Sequence, residues 1–224
     1  MVRRLTRTLA VTPTLPRALT LSLTPTRYAA AASGPKDVVL VFGSMAGGIM
    51  TMAKHAAKMV IDTLTAVDYV TIVKYHFAKS AGAEVAYSSA LVEATDANND
   101  LLKTWIDDNI GASGTTNFRA AFEKAWQVVD ATTASSNCNR IMLFLSDGEP
   151  NEWDDSKTEW VKEKAASYSP PMHLLTYGLG EGAKADVLKD IACGGKGVYY
   201  SVTKDTIANT MASYFQVWIA RLDG

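Results

Sequence analysis

The sequence is poor in several features that mark whole classes of protein. Of its 224 residues only two are cysteine, Cys138 and Cys193, which is too few for a disulfide framework. They do not form a C-x-x-C metal-binding pair, so a single bridge, two buried thiols and pairing with another chain remain open. No apolar run is long enough to cross a bilayer, so we expect no transmembrane segment. Basic and acidic residues nearly balance, at 22 against 23, so composition does not indicate a nucleic-acid partner.

The first part of the chain lacks acidic residues altogether. Asp37 is the first acid, and five of the 22 basic residues, all arginines, lie in residues 1–35, which leaves 17 basic against 23 acidic residues from residue 36 onward. The same stretch holds prolines at 13, 16 and 25 and, near its end, a run of alanines at 29–32. We therefore expect residues 1–35 to be a leader, either an organellar targeting segment or a disordered one, and residues 36–224 to form one domain. A secretory signal fits less well, because arginine and proline interrupt any apolar centre.

From residue 36 onward, apolar runs alternate with helical patterns. The run 38–42 is apolar throughout, which is typical of a strand buried on both faces of a parallel sheet. The alternation predicts an α/β, Rossmann-like fold: a mostly parallel six-stranded sheet with helices on both faces. One short strand at 83–87 is expected at the sheet edge and antiparallel. The other predicted strands are 69–77, 140–145, 172–179 and 198–202, and the predicted helices are 49–64, 98–110, 117–130, 154–168, 184–192 and 205–221.

Two of the predicted helices have a well-defined apolar face at helical spacing. In the segment 98–110 the pattern places four residues on the buried face, namely Leu101, Leu102, Trp105 and Ile106. In the segment 117–130 it places five there, namely Ala121, Phe122, Ala125, Trp126 and Val129. Both helices are therefore predicted to pack against the sheet.

Three loops should meet at the carboxyl ends of the central strands, which is where parallel α/β sheets bind ligands. These loops, 43–48, 113–117 and 146–151, offer hard oxygen groups on Ser44, on Thr115 or Thr116, and on Asp147. Hydroxyls and a carboxylate with open positions suit Mg²⁺, Mn²⁺ or Ca²⁺ rather than zinc. Taken singly, each loop is also explained by turn and N-cap chemistry, because Gly, Ser, Thr, Asn and Asp are ordinary turn residues.

Taken together and in order, several stretches resemble a known family. They are Gly-Pro-Lys-Asp-Val-Val-Leu at 34–40, Gly-Ser-Met at 43–45, Ser-Gly-Thr-Thr-Asn-Phe at 113–118, Asn-Cys-Asn-Arg-Ile-Met-Leu-Phe at 137–144, Ser-Asp-Gly-Glu at 146–149, Ile-Ala-Cys at 191–193, Gly-Val-Tyr-Tyr at 197–200 and Thr-Met-Ala-Ser-Tyr at 210–214. From residue 35 onward the chain resembles the von Willebrand factor A (VWA) domain. The resemblance is closest to the version found in calcium-channel α2δ subunits and related VWA–Cache proteins.

The resemblance implies a metal-ion-dependent adhesion site (MIDAS). The family builds it from Asp-x-Ser-x-Ser on the first loop, a Thr on a Gly-rich second loop, and an Asp after the fourth main strand. Ser44 matches the last Ser of that pattern, Thr115 the Thr and Asp147 the final Asp. The first Asp and first Ser have no match. Their positions, counted back from the last Ser, hold Leu40 and Phe42, as though three residues were missing from the loop.

No neighbouring carboxylate is expected to replace the missing one. Asp37 lies five extended residues before the turn, roughly 17 Å away at about 3.3 Å per residue. Glu149 could add an oxygen, whereas Asp154 and Asp155 are expected to cap or charge the start of their helix. One carboxylate and two hydroxyls leave a divalent ion most of its hydration shell, so binding of Mg²⁺ or Ca²⁺, or of Mn²⁺, is expected to be weak or absent. An error in the gene model is the alternative explanation of the shortened loop.

The resemblance implies a non-enzymatic protein-binding domain with a degenerate MIDAS. It would belong to an α2δ-like auxiliary protein of a channel or membrane complex, in an extracellular or cell-surface setting. The alternative is a divalent-cation-dependent adhesion module whose site is intact enough for a partner to place an acidic residue on the metal. The Arg- and Thr-rich leader points instead to an organelle.

A nucleotide-binding or hydrolytic enzyme is the remaining alternative, and the motifs disfavour it. The loop 43–48 matches neither G-x-x-x-x-G-K-[ST] nor G-x-G-x-x-G. No G-x-S-x-G surrounds Ser44 or Ser146. The three histidines, His55, His76 and His173, fall on different predicted elements. We therefore predict no catalytic residues.

Overall fold

The computed structural model describes ten parts of the chain. They are residues 34–43, 45, 47–75, 85–111, 116–148, 150, 152–180, 182–203, 205–212 and 214. The predicted leader, apart from its last two residues, lies outside this description, as does the end of the predicted last helix. In the described residues, every helix is too short or too polar to cross a bilayer.

Strands and helices alternate along the chain, as the sequence predicts. The strands are β1 (Lys36–Phe42), β2 (Tyr69–Lys74), β3 (Val85–Ala86), β4 (Val92–Glu93), β5 (Asn139–Ser146), β6 (Met172–Leu179) and β7 (Tyr199–Val202). The helices are α1 (Gly47–Ile61), α2 (Asp96–Asn109), α3 (Phe118–Asp130), α4 (Asp155–Ser167), α5 (Ala185–Gly194) and α6 (Ile207–Ala212). In space the strands follow the order β3-β2-β1-β5-β6-β7. All pairs along this path are parallel except β2 with β3.

The antiparallel edge of the sheet is one strand position made of two short pieces. β3 pairs with the carboxyl end of β2, where Val73 lies opposite Ala86, and β4 pairs with its amino end, where Tyr69 lies opposite Glu93. Both pieces run antiparallel to β2, so together they occupy a single edge position. The predicted six-stranded sheet with one antiparallel edge is therefore confirmed, with an interruption in that edge that the sequence did not predict.

β1 is the centre of the sheet, and all seven of its residues are buried. Its side chains alternate between two apolar clusters, because successive residues of a strand point to opposite faces. Val38, Leu40 and Phe42 pack in the cluster beneath α1, α2 and α6, whereas Val39 and Val41 pack beneath α3, α4 and α5. The prediction of helices on both faces is thus confirmed.

The apolar faces of the helices follow the predicted pattern with one exception. All five apolar residues predicted for the buried face of α3 are buried. In α2, Leu102 and Ile106 are fully buried, but Leu101 is 57% exposed, so its predicted place on the buried face is wrong. Neighbouring residues of a helix are about 100° apart, so the face centred on Leu102 and Ile106 leaves Leu101 at its margin.

A buried ion pair fixes the amino end of the sheet. The Lys36 ammonium lies 3.1 Å from an Asp68 carboxylate oxygen, and the two side chains are 2% and 1% exposed. The same oxygen accepts a hydrogen bond from the Lys36 backbone N–H, at 3.0 Å. The second carboxylate oxygen accepts from the Thr65 backbone N–H and hydroxyl, at 2.8 and 3.1 Å. The Asp68 carboxylate therefore joins the start of β1 to the loop before β2.

Replacing Asp68 with Asn should destabilise the protein by about 3 kcal/mol or more, because it removes the carboxylate that forms the buried ion pair with the Lys36 ammonium. Urea denaturation measures the change. The matched control is Asp62→Asn, which removes the half-exposed carboxylate that pairs with Lys103, and it should cost less than about 1 kcal/mol. Equal losses in the two variants would contradict a special role of the buried pair.

Candidate cation site at the carboxyl edge of the sheet

Three strand ends are held together at the carboxyl edge of the sheet. The Gly43 N–H, just after β1, donates to the Leu145 carbonyl of β5 at 3.1 Å. The Tyr75 N–H, just after β2, donates to the Phe42 carbonyl of β1 at 2.9 Å. Pairing therefore continues one residue beyond β1 and β2, and it places Gly43 and Tyr75 at the level where β5 gives way to Asp147.

Ser146 is the last residue of β5, and Asp147 begins the loop that follows the strand. The Ser146 side chain is buried, and its hydroxyl lies 3.3 Å from both the N–H and the carbonyl oxygen of Gly148, so it closes a tight turn. Asp147 is half-buried. Its charge is close enough to the phenol of Tyr75 to contribute to the raised pKa of that group.

The second loop reaches the Asp147 loop through Thr116. A Cβ atom placed on Gly148 would lie 3.0 Å from the Thr116 hydroxyl oxygen, so the two loops touch at this glycine. Asn117 follows and begins α3 as its N-cap, accepting a hydrogen bond from the Ala120 N–H at 3.0 Å. The N-cap fixes where α3 starts and so fixes Thr116 beside the turn at Gly148.

Tyr75 fills the space between these loops and the core. Its side chain is fully buried, with its ring stacked on Phe144 at 5.5 Å and edge-on to Phe118 at 6.2 Å. Its hydroxyl lies 3.5 Å from the Leu145 carbonyl oxygen. Burial raises the pKa of Tyr75 far above its ordinary value, and although a hydrogen bond with the Ser146 side chain opposes this, the charge of Asp147 adds to it. The phenol therefore stays protonated and neutral.

The structure describes some of the predicted ligand residues and not others. Asp147 lies where the sequence placed it, directly after β5, and its role as a ligand stays a prediction. Ser44 and Thr115 lie outside the described residues, as does Glu149. Thr116, the other threonine considered for the second loop, is the one that the structure places beside the Asp147 turn.

Asp37 is held at the opposite edge of the sheet, as its distance along β1 predicts. Its carboxylate accepts hydrogen bonds from the Ser136 N–H at 2.7 Å and the Arg140 side chain at 3.4 Å. Leu40 and Phe42, which hold the positions of the missing ligands when counted back from Ser44, are fully buried among apolar side chains. The predicted location of Asp37, at the end of β1 far from the first loop, is confirmed.

The described residues fit a tightly held divalent ion poorly. Calcium sites use several oxygen ligands, among them Asp and Glu carboxylates, and magnesium sites use one or two carboxylates together with water. Within the described ranges, no group of three or more His, Cys, Asp and Glu side chains is arranged to hold a metal ion. The oxygens that the structure does bring to this edge are the Asp147 carboxylate and the hydroxyls of Thr116, Ser146 and Tyr75.

Other residues considered from the sequence have local roles. Asp154 is the N-cap of α4, as predicted, and its pKa is lowered by hydrogen bonds from Lys157 and Ser156. His55 is exposed, whereas the ring of His173 lies 3.0 Å from the Lys196 carbonyl oxygen; His76 lies outside the described residues.

The structure excludes two of the three alternatives that the sequence left open for the cysteines. Cys138 and Cys193 are both exposed, and no bond joins them. The alternative of two buried thiols is therefore wrong, and so is a bridge between them in this structure.

Comparison with known proteins supports the same fold. No family model matches the sequence. The voltage-dependent calcium channel subunit alpha-2/delta-4 of Homo sapiens is 29% identical in an alignment 202 residues long, which covers 84% of this chain and 16% of that protein. Subunit alpha-2/delta-3 of Rattus norvegicus is 30% identical in an alignment 189 residues long, which covers 79% of this chain and 16% of that protein. The chain thus spans about one sixth of the length of these relatives.

Solved structures resemble the chain over most of its length. A von Willebrand factor type A protein from Catenulispora acidiphila superposes with a TM-score of 0.67 at 17% identity, over 81% of this chain and 42% of that one. Proximal thread matrix protein 1 of the mussel byssus, solved with a zinc-occupied MIDAS motif, superposes with a TM-score of 0.62 at 17% identity, over 84% of this chain and 46% of that one.

Sheet order, helix layers and these likenesses define the class of protein. The chain contains a von Willebrand factor type A domain. Among known proteins it is related in sequence to the alpha-2/delta subunits of voltage-dependent calcium channels.

Replacing Asn117 with Ala should destabilise the protein by about 1 kcal/mol, because the first turn of α3 loses its side-chain cap. Thermal unfolding followed by circular dichroism measures the loss. Asn117→Asp keeps an acceptor oxygen at the same place and should be nearly neutral. If both variants lose the same stability, the cap does not fix the second loop.

Proposed function

We propose that this VWA domain is a non-enzymatic protein-binding module with a degenerate MIDAS. One observation carries the proposal. At the end of β1, where the family pattern begins its ligands, the structure has Gly43 packed against the Tyr75 phenol instead of a carboxylate. The ligands that remain in the proposal are the Asp147 carboxylate and the predicted hydroxyls of Ser44 and Thr115.

Such a ligand set should hold Mg²⁺, Ca²⁺ or Mn²⁺ weakly or not at all. A divalent ion pays a large dehydration cost, and a single carboxylate compensates little of it. The affinity of oxygen sites is tuned mainly by the number of charged ligands and by rigidity. The protein-binding role that we propose therefore does not depend on a bound ion. The domain binds its partner through a surface whose structure is the same without metal.

The partner we propose is a protein of a channel or membrane complex, at the cell surface or outside the cell. Support comes from the relatedness to alpha-2/delta subunits of voltage-dependent calcium channels. The similarly folded pilus adhesin SpaC of Lactobacillus rhamnosus GG supports a binding role, at a TM-score of 0.64 and 12% identity. The organelle suggested by the leader remains the alternative compartment.

A cation-dependent adhesion module is the second candidate. It is favoured by the contact between the second loop and the Asp147 turn, which brings a hydroxyl and a carboxylate to one edge. The zinc-occupied MIDAS motif of the similarly folded mussel byssus protein shows that a fold of this kind can hold a divalent ion. In this candidate an acidic residue of the partner would complete the coordination of the ion.

Calorimetric titration with Mg²⁺, Ca²⁺ and Mn²⁺ separates the two candidates. We expect a Kd weaker than about 1 mM for each ion, because one carboxylate supplies too little charge. A Kd below about 10 µM that Asp147→Ala abolishes would contradict the degenerate site and favour the cation-dependent module. Asp155→Ala, which removes an exposed carboxylate in the first turn of α4, is the matched control and should change nothing.

The binding role has its own test. Residues 34–224 would be presented to cells that display a voltage-dependent calcium channel, with channel-free cells as the reference. We expect retention on the channel-bearing cells that persists in a chelator. Loss of retention in the chelator would favour the cation-dependent module, and equal retention on both kinds of cell would contradict a channel partner.

A further inference from the structure

Gly43 lies directly against the Tyr75 phenol at the carboxyl edge. A Cβ atom built on Gly43 would lie 2.6 Å from the Tyr75 hydroxyl oxygen, 2.9 Å from the adjoining ring carbon and 3.3 Å from the Leu145 carbonyl oxygen. Real Cβ atoms essentially never approach other heavy atoms as closely as 2.6 Å. The backbone at Gly43 does not have a positive φ, so the nearby phenol, and not the backbone conformation, is what requires glycine here.

The geometry of β1 determines in which direction a side chain at position 43 would point. Val39 and Val41 of β1 point into the cluster beneath α3, and the side chain two residues further on points the same way. That is the side on which the Tyr75 ring lies, stacked on Phe144. Any side chain at position 43 would therefore meet the phenol.

Position 43 is also where a second carboxylate would be most useful. Phe42 of β1 lies opposite Leu145 of β5. Continuing this register by one residue places position 43 opposite Ser146, the residue directly before Asp147. A carboxylate at 43 would raise the charge beside Asp147, which is what a divalent cation requires.

We infer that Tyr75 determines the cation affinity of this edge: its phenol fills the volume that a carboxylate at position 43 would need, and so excludes a tightly bound divalent ion. The inference rests on the proposed degenerate site and adds a residue that sequence comparison of the ligand loops does not reveal. Where a charged ligand would lie, the structure has the neutral hydroxyl of Tyr75. This hydroxyl contacts the Leu145 carbonyl oxygen and the Ser146 side chain.

The test restores the carboxylate with and without the obstruction. Gly43→Asp is made in the natural chain, in Tyr75→Phe and in Tyr75→Leu, and Mn²⁺ affinity is measured by calorimetry on each protein. We expect Gly43→Asp alone to bind no better than the natural chain. Affinity should rise at least about tenfold when Gly43→Asp is combined with Tyr75→Leu, and by less with Tyr75→Phe, which removes only the nearest atom. Adding Asp147→Asn to the combined variant should abolish the gain.

Two results would overturn the inference. One is an equal gain from Gly43→Asp with Tyr75 present, and the other is no gain from the combined variant although it remains folded. Tight Mn²⁺ binding by the natural chain would instead contradict the proposed degenerate site. In that case the role of Tyr75 is still judged by the difference between the single and combined variants.

A metal-free measurement tests the steric part separately. Gly43→Ala should lower Tm by about 5 °C in the natural chain, because it overpacks the contact with the phenol. In the Tyr75→Leu background the same substitution should lower Tm by less than half as much. The comparison remains informative even if the aspartate variants fold poorly. Equal shifts in the two backgrounds would show that Tyr75 does not restrict position 43.

Discussion

The burial of β1 on both faces is the constraint on which the rest of the structure depends. Its seven residues lie between β2 and β5, and its side chains supply both apolar clusters. A shift of one residue would exchange these faces, and a shift of two would move the Lys36 ammonium away from Asp68. The register of β1 is therefore fixed by packing and by a buried ion pair, and with it the level at which the first loop begins.

A fixed register gives a reason why the site we propose is incomplete instead of displaced. β1 cannot shift along its neighbours to bring Asp37 to the carboxyl edge, because the Asp37 carboxylate is hydrogen-bonded to Ser136 and Arg140 at the amino edge. The first loop accordingly begins at Gly43, and the phenol of Tyr75 occupies the side of that glycine where a ligand would project. In the proposed degenerate site, the lack of a second carboxylate and the filling of the space by the phenol are two aspects of one packing arrangement.

The sequence predicts much of this fold because its strongest signals are local. The apolar run of β1 and the apolar face of α3 need only neighbouring residues to be recognised, and both are confirmed. The two-residue strand β4 could not be predicted, because so short a piece has no periodicity. The contact of Tyr75 with Gly43 was missed for a different reason: it joins residues 32 positions apart and depends on the register of β2 against β1. The only signal was an aromatic residue near the end of a predicted strand.

The most direct test of the central claim is to locate any bound manganese. Crystals soaked in about 1 mM Mn²⁺ would be examined by anomalous diffraction at the manganese absorption edge. Because one carboxylate retains such an ion poorly, we predict no anomalous peak within about 2.6 Å of the Asp147 carboxylate. A strong peak there, with the Tyr75 phenol still against Gly43, would contradict the account.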